Sequence, residues 1–275
     1  MTRISPRHPR YRSLLLRDEL ARAAREGIVV PEGLIAQGRG EAFDYLLGER
    51  TTPSARRAIR RAAEWMRSAR RPVLSVNGNV AALASDRVAR LAKLLPNLGI
   101  EVNLFHRTPE RVRRIGRRLA AAGVRPVLGL RPTVRIPHLP SDRARVDARG
   151  IAVADLCVIP LEDGDRTEAL RRLGKRIVAI DLNPLSRTAR SADLTIVDEL
   201  TRALDGLLVE LERTAQLPAP RRPRGISNRA LLDDAIARIR AGARPAARRP
   251  GRRTPRRRAR RGRSAGRPRK GTGRR

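Results

Sequence analysis

Aromatic side chains make up only 2% of the 275 residues, and the chain has one cysteine, Cys157, and three lysines, at 93, 175 and 270. A single cysteine excludes an intramolecular disulfide framework and any multi-cysteine zinc or iron–sulfur site. With so few rings the core has to be built from Leu, Val, Ile and Ala. No apolar run approaches the roughly 20 residues that a bilayer-spanning helix needs. The opening stretch MTRISPRHPRYRSLLLRDEL is basic but has no long apolar segment and no small-residue cleavage site. No secretory signal is expected, and the chain reads as soluble and cytoplasmic, without a membrane partner. Several motifs are also missing. There is no G-x-x-x-x-G-K-[ST], which excludes a P-loop NTPase, and no G-x-G-x-x-G after a strand, which leaves a dinucleotide site unsupported. No G-x-S-x-G nucleophile elbow occurs. His8, His106 and His138 lack close metal-ligand spacing.

Basic charge is abundant: 62 Lys plus Arg against 27 Asp plus Glu, a formal charge of +35. It is unevenly spread, because residues 241–275 hold 16 basic residues and no acidic ones, leaving +19 for residues 1–240. This Arg-, Pro- and Gly-rich tail has almost nothing to bury and is expected to be disordered. It suits weak, nonspecific contact with nucleic-acid phosphates through counterion release. It has no interleaved aromatic residue for base stacking. The scarcity of Lys points to a general Arg bias as the bland explanation.

Residues 11–25 read as a helix with Leu14, Leu15, Leu20 and Ala23 near one face. Gly33, Gly38 and Gly40 suggest a glycine-rich turn around Arg39, followed by a short helix over 41–47. Thr52-Pro53 and Thr108-Pro109 are helix starts, with Thr as the cap and Pro in the first turn. From Pro72 onward, short apolar runs alternate with helical stretches. Strands are predicted over 72–76, 99–105, 125–130, 154–161, 176–182 and 194–198, and a helix follows to about 214. A last helix is predicted over 226–242, capped by Ser227 or Asn228. This alternation predicts an α/β fold: a parallel Rossmann-like sheet with helices on both faces. The expected organisation is an N-terminal helical segment over 1–71 packing on the core, the α/β core with its C-terminal helix over 72–240, and the tail over 241–275. Cys157 falls mid-strand and reads as core packing.

Polar residues collect at the ends of the predicted strands, where open parallel sheets bind ligands. These ends carry Asn77-Gly78-Asn79, then Asn103 and Arg107, then Glu162, Asp163, Asp165 and Arg166, then Asp181, Asn183, Ser186, Arg187 and Thr188, then Asp198 and Glu199. Singly, each has a plain structural use. Asn77-Gly78 suits a turn, and Asp163, Asp165 and Asp198 suit helix caps. Together with the nearby Gly and Arg residues they favour a phosphorylated ligand.

Five segments go beyond a generic α/β pattern: HPRYRSLLLRDEL (8–20), GLIAQGRGEAFDYLLGE (33–49), SVNGNVAAL (75–83), EVNLFHRT (101–108) and the long PLEDGDRTEALRRLGKRIVAIDLNPLSRTARSADLTIVD (160–198). With these the chain resembles the archaeal phosphopantothenate synthetase family, the 4-phosphopantoate–β-alanine ligases. The resemblance covers roughly residues 4–214, and loosely the last helix. It implies a cytoplasmic homodimer that joins 4-phosphopantoate to β-alanine in coenzyme A biosynthesis. ATP is the co-substrate, with Mg²⁺, and AMP and pyrophosphate are released by way of a phosphopantoyl adenylate. The family's ATP contacts fall on Arg17, Arg39, Asp181, Leu182, Asn183, Arg187, Thr188, Glu199 and Leu200, with Glu at 199 where the pattern has Asn. Position 37 is Gln where the pattern has His, so proton transfer there is not expected.

For catalysis the candidates are Arg39, Asp163 and Asp165. The two aspartates would hold the β-alanine ammonium or Mg²⁺ beside pyrophosphate, and no metal ligand set is assigned. Asn77, Gly78, Asn79, Arg107 and Arg166 are the candidates for phosphopantoate, with Arg107 on its 4-phosphate. Two other readings stand beside this one. The first is a nonenzymatic nucleic-acid-binding α/β protein using its basic tail, which gives no role to the acidic turn at 160–165. The second is a different acyl-activating ligase on the same scaffold.

Overall fold

In the computed structural model, which describes residues 4–8, 10–220 and 225–242, three helices precede the sheet: α1 (Tyr11–Arg25), α2 (Pro31–Leu47) and α3 (Pro53–Ser68). The order then runs β1 (Pro72–Val76), α4 (Gly78–Leu94), β2 (Gly99–Val102), α5 (Pro109–Ala121), β3 (Val127–Leu128), β4 (Val134–Arg135), β5 (Arg145–Val146), β6 (Leu156–Pro160), α6 (Gly164–Arg172), β7 (Arg176–Ile180), α7 (Arg187–Ser191), β8 (Leu194–Ile196), α8 (Leu200–Thr214) and α9 (Asn228–Gly242). The caps anticipated for α3 and α5 form: Thr52 accepts from Ala55 N at 3.1 Å and Thr108 from Arg111 N at 3.2 Å.

Six strands form one parallel sheet in the order β3-β2-β1-β6-β7-β8. Alternation along each strand divides the core into two layers. Leu74, Val76, Ile100, Val102, Val158 and Val178 face one layer, while Val73, Cys157, Ile159, Ile177 and Ala179 face the other. On the first face α4 packs on α8 and α8 on α3, and α1 lies against α4. Cys157 is fully buried, and burial pushes its thiol up to about 12, so it is inert packing.

The structure departs from the sequence expectations in four places. The expected turn at Gly33–Gly40 is instead part of one continuous helix, α2. Helix formation wins here because α2 is held by tertiary packing, and two of its glycines sit where it is held. A Cβ on Gly33 would lie 2.5 Å from Asn79 Oδ1, and one on Gly40 would touch Leu182. The strands are shorter than the apolar runs, most of all β3. The stretch 131–153, which gave no signal, makes a small antiparallel pair, β4 with β5, and two turns of 3₁₀ helix. Glu199, not Asp198, caps α8, accepting from Thr201 N at 2.9 Å and Arg202 N at 3.1 Å. The last helix packs on α2, α7 and β8 through Leu232, Ala235 and Ile239. The expectation of a disordered tail falls almost wholly on residues outside those described.

Candidate functional site

Strand order reverses beside β1. The chain moves out from β1 to β2 and β3, then returns through β6 on the other side of β1. The crevice at the carboxyl ends of β1 and β6 is therefore the expected ligand position. Asn77 ties the two ends together. Its Nδ2 donates to the carbonyls of Pro160 at 2.9 Å and Leu161 at 3.2 Å, and its Oδ1 accepts from Val80 N at 3.1 Å, capping α4. A cavity of about 250 Å³ opens here, walled by Gly78 and Asn79 of α4, Arg39 of α2, and Arg111, Arg143 and Asp163. Asn79 Nδ2 donates to the Gly33 carbonyl at 2.8 Å, which fixes α2 against the start of α4.

Arg143, only 6% exposed, organises the acidic turn after β6. Its guanidinium lies 2.9 Å from Glu162 and 2.8 Å from Asp163. Asn103 at the end of β2 holds the backbone of that segment, its Nδ2 donating to the carbonyls of Arg143 and Arg145 at 3.2 Å each. Burial pushes the Asp163 carboxyl up, and Arg143 opposes that shift. Among the described residues the Asp165 side chain makes no hydrogen bond or ion pair.

A second cavity, about 170 Å³, lies along a different face of α2 and is walled by Arg12, Gln37, Glu41, Leu182, Glu199 and Arg202. Arg17 reaches Glu41 at 2.7 Å. Burial raises the Glu41 carboxyl, but hydrogen bonds from Arg17 and Tyr45 outweigh it and leave the group below the usual range. At the end of β7, Asp181 accepts from Asn183 N at 2.9 Å and Ser186 Oγ at 2.5 Å. Burial pushes the Asp181 carboxyl up, against these bonds and the nearby Arg39 charge. Arg39 thus lines the switch-point cavity while its charge acts on Asp181.

The anticipated residues separate into groups. Arg39, Asn77, Gly78, Asn79 and Asp163 come together at the first cavity, and Leu182 and Glu199 at the second. Thr188 is buried and donates to the Glu162 carbonyl at 2.7 Å, while exposed Arg187 faces Glu168 at 3.3 Å. Leu200 is core. Arg107 lines neither cavity, since its Nη2 is bound to the Gly129 carbonyl at 2.7 Å. Arg166 is 0% exposed, bonded to Ser75 at 3.2 Å and to Glu162, and reaches neither cavity wall. Arg111 and Arg143 were missed, because two more arginines in so Arg-rich a chain carry no signal. The only hint was the position of Arg111 three residues after the Thr108 cap.

Three guanidinium groups beside a helix N-terminus favour an anion, and a carboxylate held among them suits a second, cationic group. A sequence profile of the phosphopantothenate/pantothenate synthetase family matches residues 54–242. The chain is 52% identical over 214 residues to a protein of Thermococcus kodakarensis named 4-phosphopantoate–beta-alanine ligase, covering 78% of this chain and 81% of that one. It is 53% identical over 207 residues to a protein of the same name from Methanosarcina mazei, covering 75% and 81%. With a match across most of its length and the switch-point site inside the matched region, this chain belongs to the phosphopantothenate/pantothenate synthetase family.

Proposed function

We propose that the chain is an ATP-dependent ligase that joins (R)-4-phosphopantoate to β-alanine. The products are 4'-phosphopantothenate, AMP and pyrophosphate, formed through a phosphopantoyl adenylate on the route to coenzyme A. The observation that carries this reading is the 52% identity to the T. kodakarensis ligase over 81% of that protein's length.

In the first step a carboxylate oxygen of phosphopantoate attacks the α-phosphorus of ATP and pyrophosphate leaves. Two anions have to meet, so positive charge is needed where they do. Arg39 is suited to this, since it lines the switch-point cavity and its charge reaches Asp181. The nucleotide would lie over the ends of β7 and β8. Asp181 and Asn183 would contact its ribose, Leu182 its apolar surroundings, and Arg17 and Arg187 its phosphate side, whereas Leu200 and Thr188, both buried, would reach it only through their backbone. Glu199, committed to capping α8, has its carboxylate oxygens engaged by Thr201 and Arg202 and would contact the adenine amine or ribose at most.

In the second step the β-alanine nitrogen attacks the acyl carbon and AMP leaves. The ammonium has to lose a proton first. Asp163, raised by burial and lining the cavity, would hold that ammonium and accept the proton.

Among the described residues no group of three or more His, Cys, Asp or Glu side chains could hold a metal. Mg²⁺ needs no such cage, because it binds through one or two carboxylates together with substrate phosphates. Asp165 fits that role. When bound, the ion would neutralise phosphate charge. A homodimer belongs to the same proposal, and the apolar residues Leu34, Ile35, Tyr45 and Leu46 exposed on α2 favour it.

The test is AMP release from ATP and Mg²⁺ with 4-phosphopantoate, with and without β-alanine, and with unphosphorylated pantoate as control. AMP that depends on both phosphopantoate and β-alanine supports the ligase. A folded protein that binds ATP and releases no AMP sinks it.

A further inference from the structure

Residues 109–149 hold eleven arginines against three carboxylates, Glu110, Asp142 and Asp147. Each carboxylate is already engaged: Glu110 pairs with Arg114, Asp147 lies 3.5 Å from Arg149, and Asp142 acts on Arg107. The uncompensated charge collects at the β3 edge of the sheet, on α5 and on the β4–β5 ribbon. Arg113 and Arg117, both exposed, stand four residues apart on one face of α5, about 6 Å along its axis. Arg135 and Arg145, also exposed, are direct partners across the ribbon, on one face and about 5 Å apart at Cα. Among the described residues none of these four makes an ion pair, nor does the exposed Arg131 that leads into the ribbon. Like charges in either arrangement repel and weaken the element that carries them. A general preference for arginine does not account for this, because the neighbouring positions on α5 are paired: Arg114 meets Glu110, and Arg118 meets Glu19 at 2.6 Å.

The fold holds the two elements side by side. α5 rests on β2 and β3 through Val112, Ile115 and Leu119, all buried. Leu130, just ahead of the ribbon, lies against α5: a Cβ on Gly116 would fall 2.8 Å from Leu130 Cδ2. The ribbon's inner side chains, Ile136, Ala144 and Val146, are core, and Asn103 fixes its backbone at 143 and 145. Arg107, bound to the Gly129 carbonyl at 2.7 Å, adds to the positive field. Burial lowers its guanidinium's hold on its proton and the nearby Arg145 lowers it further, against Asp142 and Glu101.

We propose that this edge, from α5 across to the β4–β5 ribbon, is a docking surface for the phosphate backbone of a nucleic acid. Charge complementarity selects the occupant. One phosphate group would satisfy one arginine pair, whereas two pairs on two elements match a chain of repeating phosphates. Residues 109–149 contain no Phe, Tyr or Trp, so bases have nothing to stack on and the binding is independent of sequence. A second copy of the chain would bring the same charge and be repelled. A membrane surface fits poorly, because the apolar face of α5 is buried and only Leu130 and Val134 are part-exposed large apolar residues here. The surface belongs to the folded body, is separate from the basic tail, and does not depend on the ligase reading.

The full-length protein is titrated into a fluorescein-labelled DNA duplex of about 20 base pairs, at salt from about 50 to about 200 mM, with anisotropy as the readout. Wild type is compared with Arg135→Gln/Arg145→Gln, with Arg113→Gln/Arg117→Gln, and with Arg56→Gln/Arg60→Gln. The last removes the same charge from exposed positions of α3, which packs on β8. Five inter-strand steps, about 24 Å, separate β8 from β3. Each of the first two variants should flatten the slope of log K on log salt by about 1.8, the loss of two phosphate contacts, and weaken binding at least about tenfold. The α3 variant should change the slope by less than about 0.5. Relief of like-charge repulsion should leave the first two variants melting at or above the wild-type temperature. Equal flattening in all three variants overturns the proposal, since net charge then explains the binding. An unchanged slope in the first two overturns it as well. Polyglutamate or phosphatidylglycerol vesicles that bind wild type as tightly as the duplex, with the same loss in the first two variants, overturn nucleic acid as the occupant. Should a variant misfold, hydrogen exchange of wild type with and without duplex decides: protection within 109–146 supports the surface, and protection confined to other residues overturns it.

Discussion

Asp163 faces the switch-point cavity with a side chain 42% exposed, so its loss should affect chemistry more than folding. Asp163→Asn is expected to lower turnover at saturating substrates by roughly 10²- to 10⁴-fold, the range for removing a general base, with the melting temperature near that of wild type. AMP release and a thermal melt measure both sides of that statement. Glu101 on β2 is the opposite case. It is 0% exposed, accepts from Asp147 N at 3.1 Å and Ile151 N at 2.6 Å, and burial pushes its carboxyl up to about 7. The folded protein holds this proton more tightly than the unfolded chain does. Its contribution to stability is therefore full below pH 4.5 and is lost as pH rises through 7, by about 3 kcal/mol in all. Burial raises Asp163, Asp181 and Asp198 in the same direction. Stability to urea should fall between pH 5 and 8, and Glu101→Gln should flatten that slope. An unchanged slope in the variant would show that other groups set it.

At the scale of elements, α2 is held from two sides. Near its C-terminus Arg202 of α8 joins Asp44 at 3.1 Å to Asp198 at 2.9 Å, and Asp198 also accepts from Thr51 at 2.6 Å. Both carboxylates are buried. Arg202→Ala leaves them facing one another without a cation and should destabilise by about 3–5 kcal/mol. The exposed pair of Arg187 with Glu168 should contribute less than about 1 kcal/mol, so Arg187→Ala is the control in the same urea titration. At the other end of α2, Gly33→Ala would put a Cβ 2.5 Å from Asn79 Oδ1. That substitution should cost about 1–3 kcal/mol and raise the KM for the acid substrate, because it pushes α2 away from the start of α4. Unchanged KM in a folded Gly33→Ala protein would separate α2 from the site.

For the molecule as a whole, the basic charge and the proposed chemistry fall in different parts of the chain. The profile match ends at residue 242, just ahead of the densest run of arginine. A protein ending at Gly242 should keep its ligase activity within about twofold of the full chain. Salt-dependent retention on immobilised nucleic acid should fall sharply, because most of the counterion release goes with the tail. Activity lost with the tail would instead give residues 243–275 a part in the ligase. Among the described residues no helix is long and apolar enough to cross a membrane.

How much of this was legible beforehand depends on the range of the interactions involved. Thr52-Pro53 and Thr108-Pro109 mark helix starts because capping is settled within four residues, and both caps form. The apolar runs from Pro72 onward identify a parallel sheet because a strand buried on both faces has to be apolar throughout. Asn77, Asp163 and Asp181 stand out because they end such runs. By itself, then, the sequence determined the α/β class, the alternation of strands with helices from Pro72 onward and, through long idiosyncratic segments, the family. Tertiary structure alone decided that Gly33–Gly40 is helix, since the contacts with Asn79 and Leu182 come from elements more than forty residues away. It also decided which arginines matter. Arg166 and Arg107 follow strand ends yet line neither cavity, whereas Arg111 and Arg143 reach the switch point from α5 and from a turn of 3₁₀ helix. A guanidinium's role is set by the charges and backbone groups around it in space, and chain order does not record them.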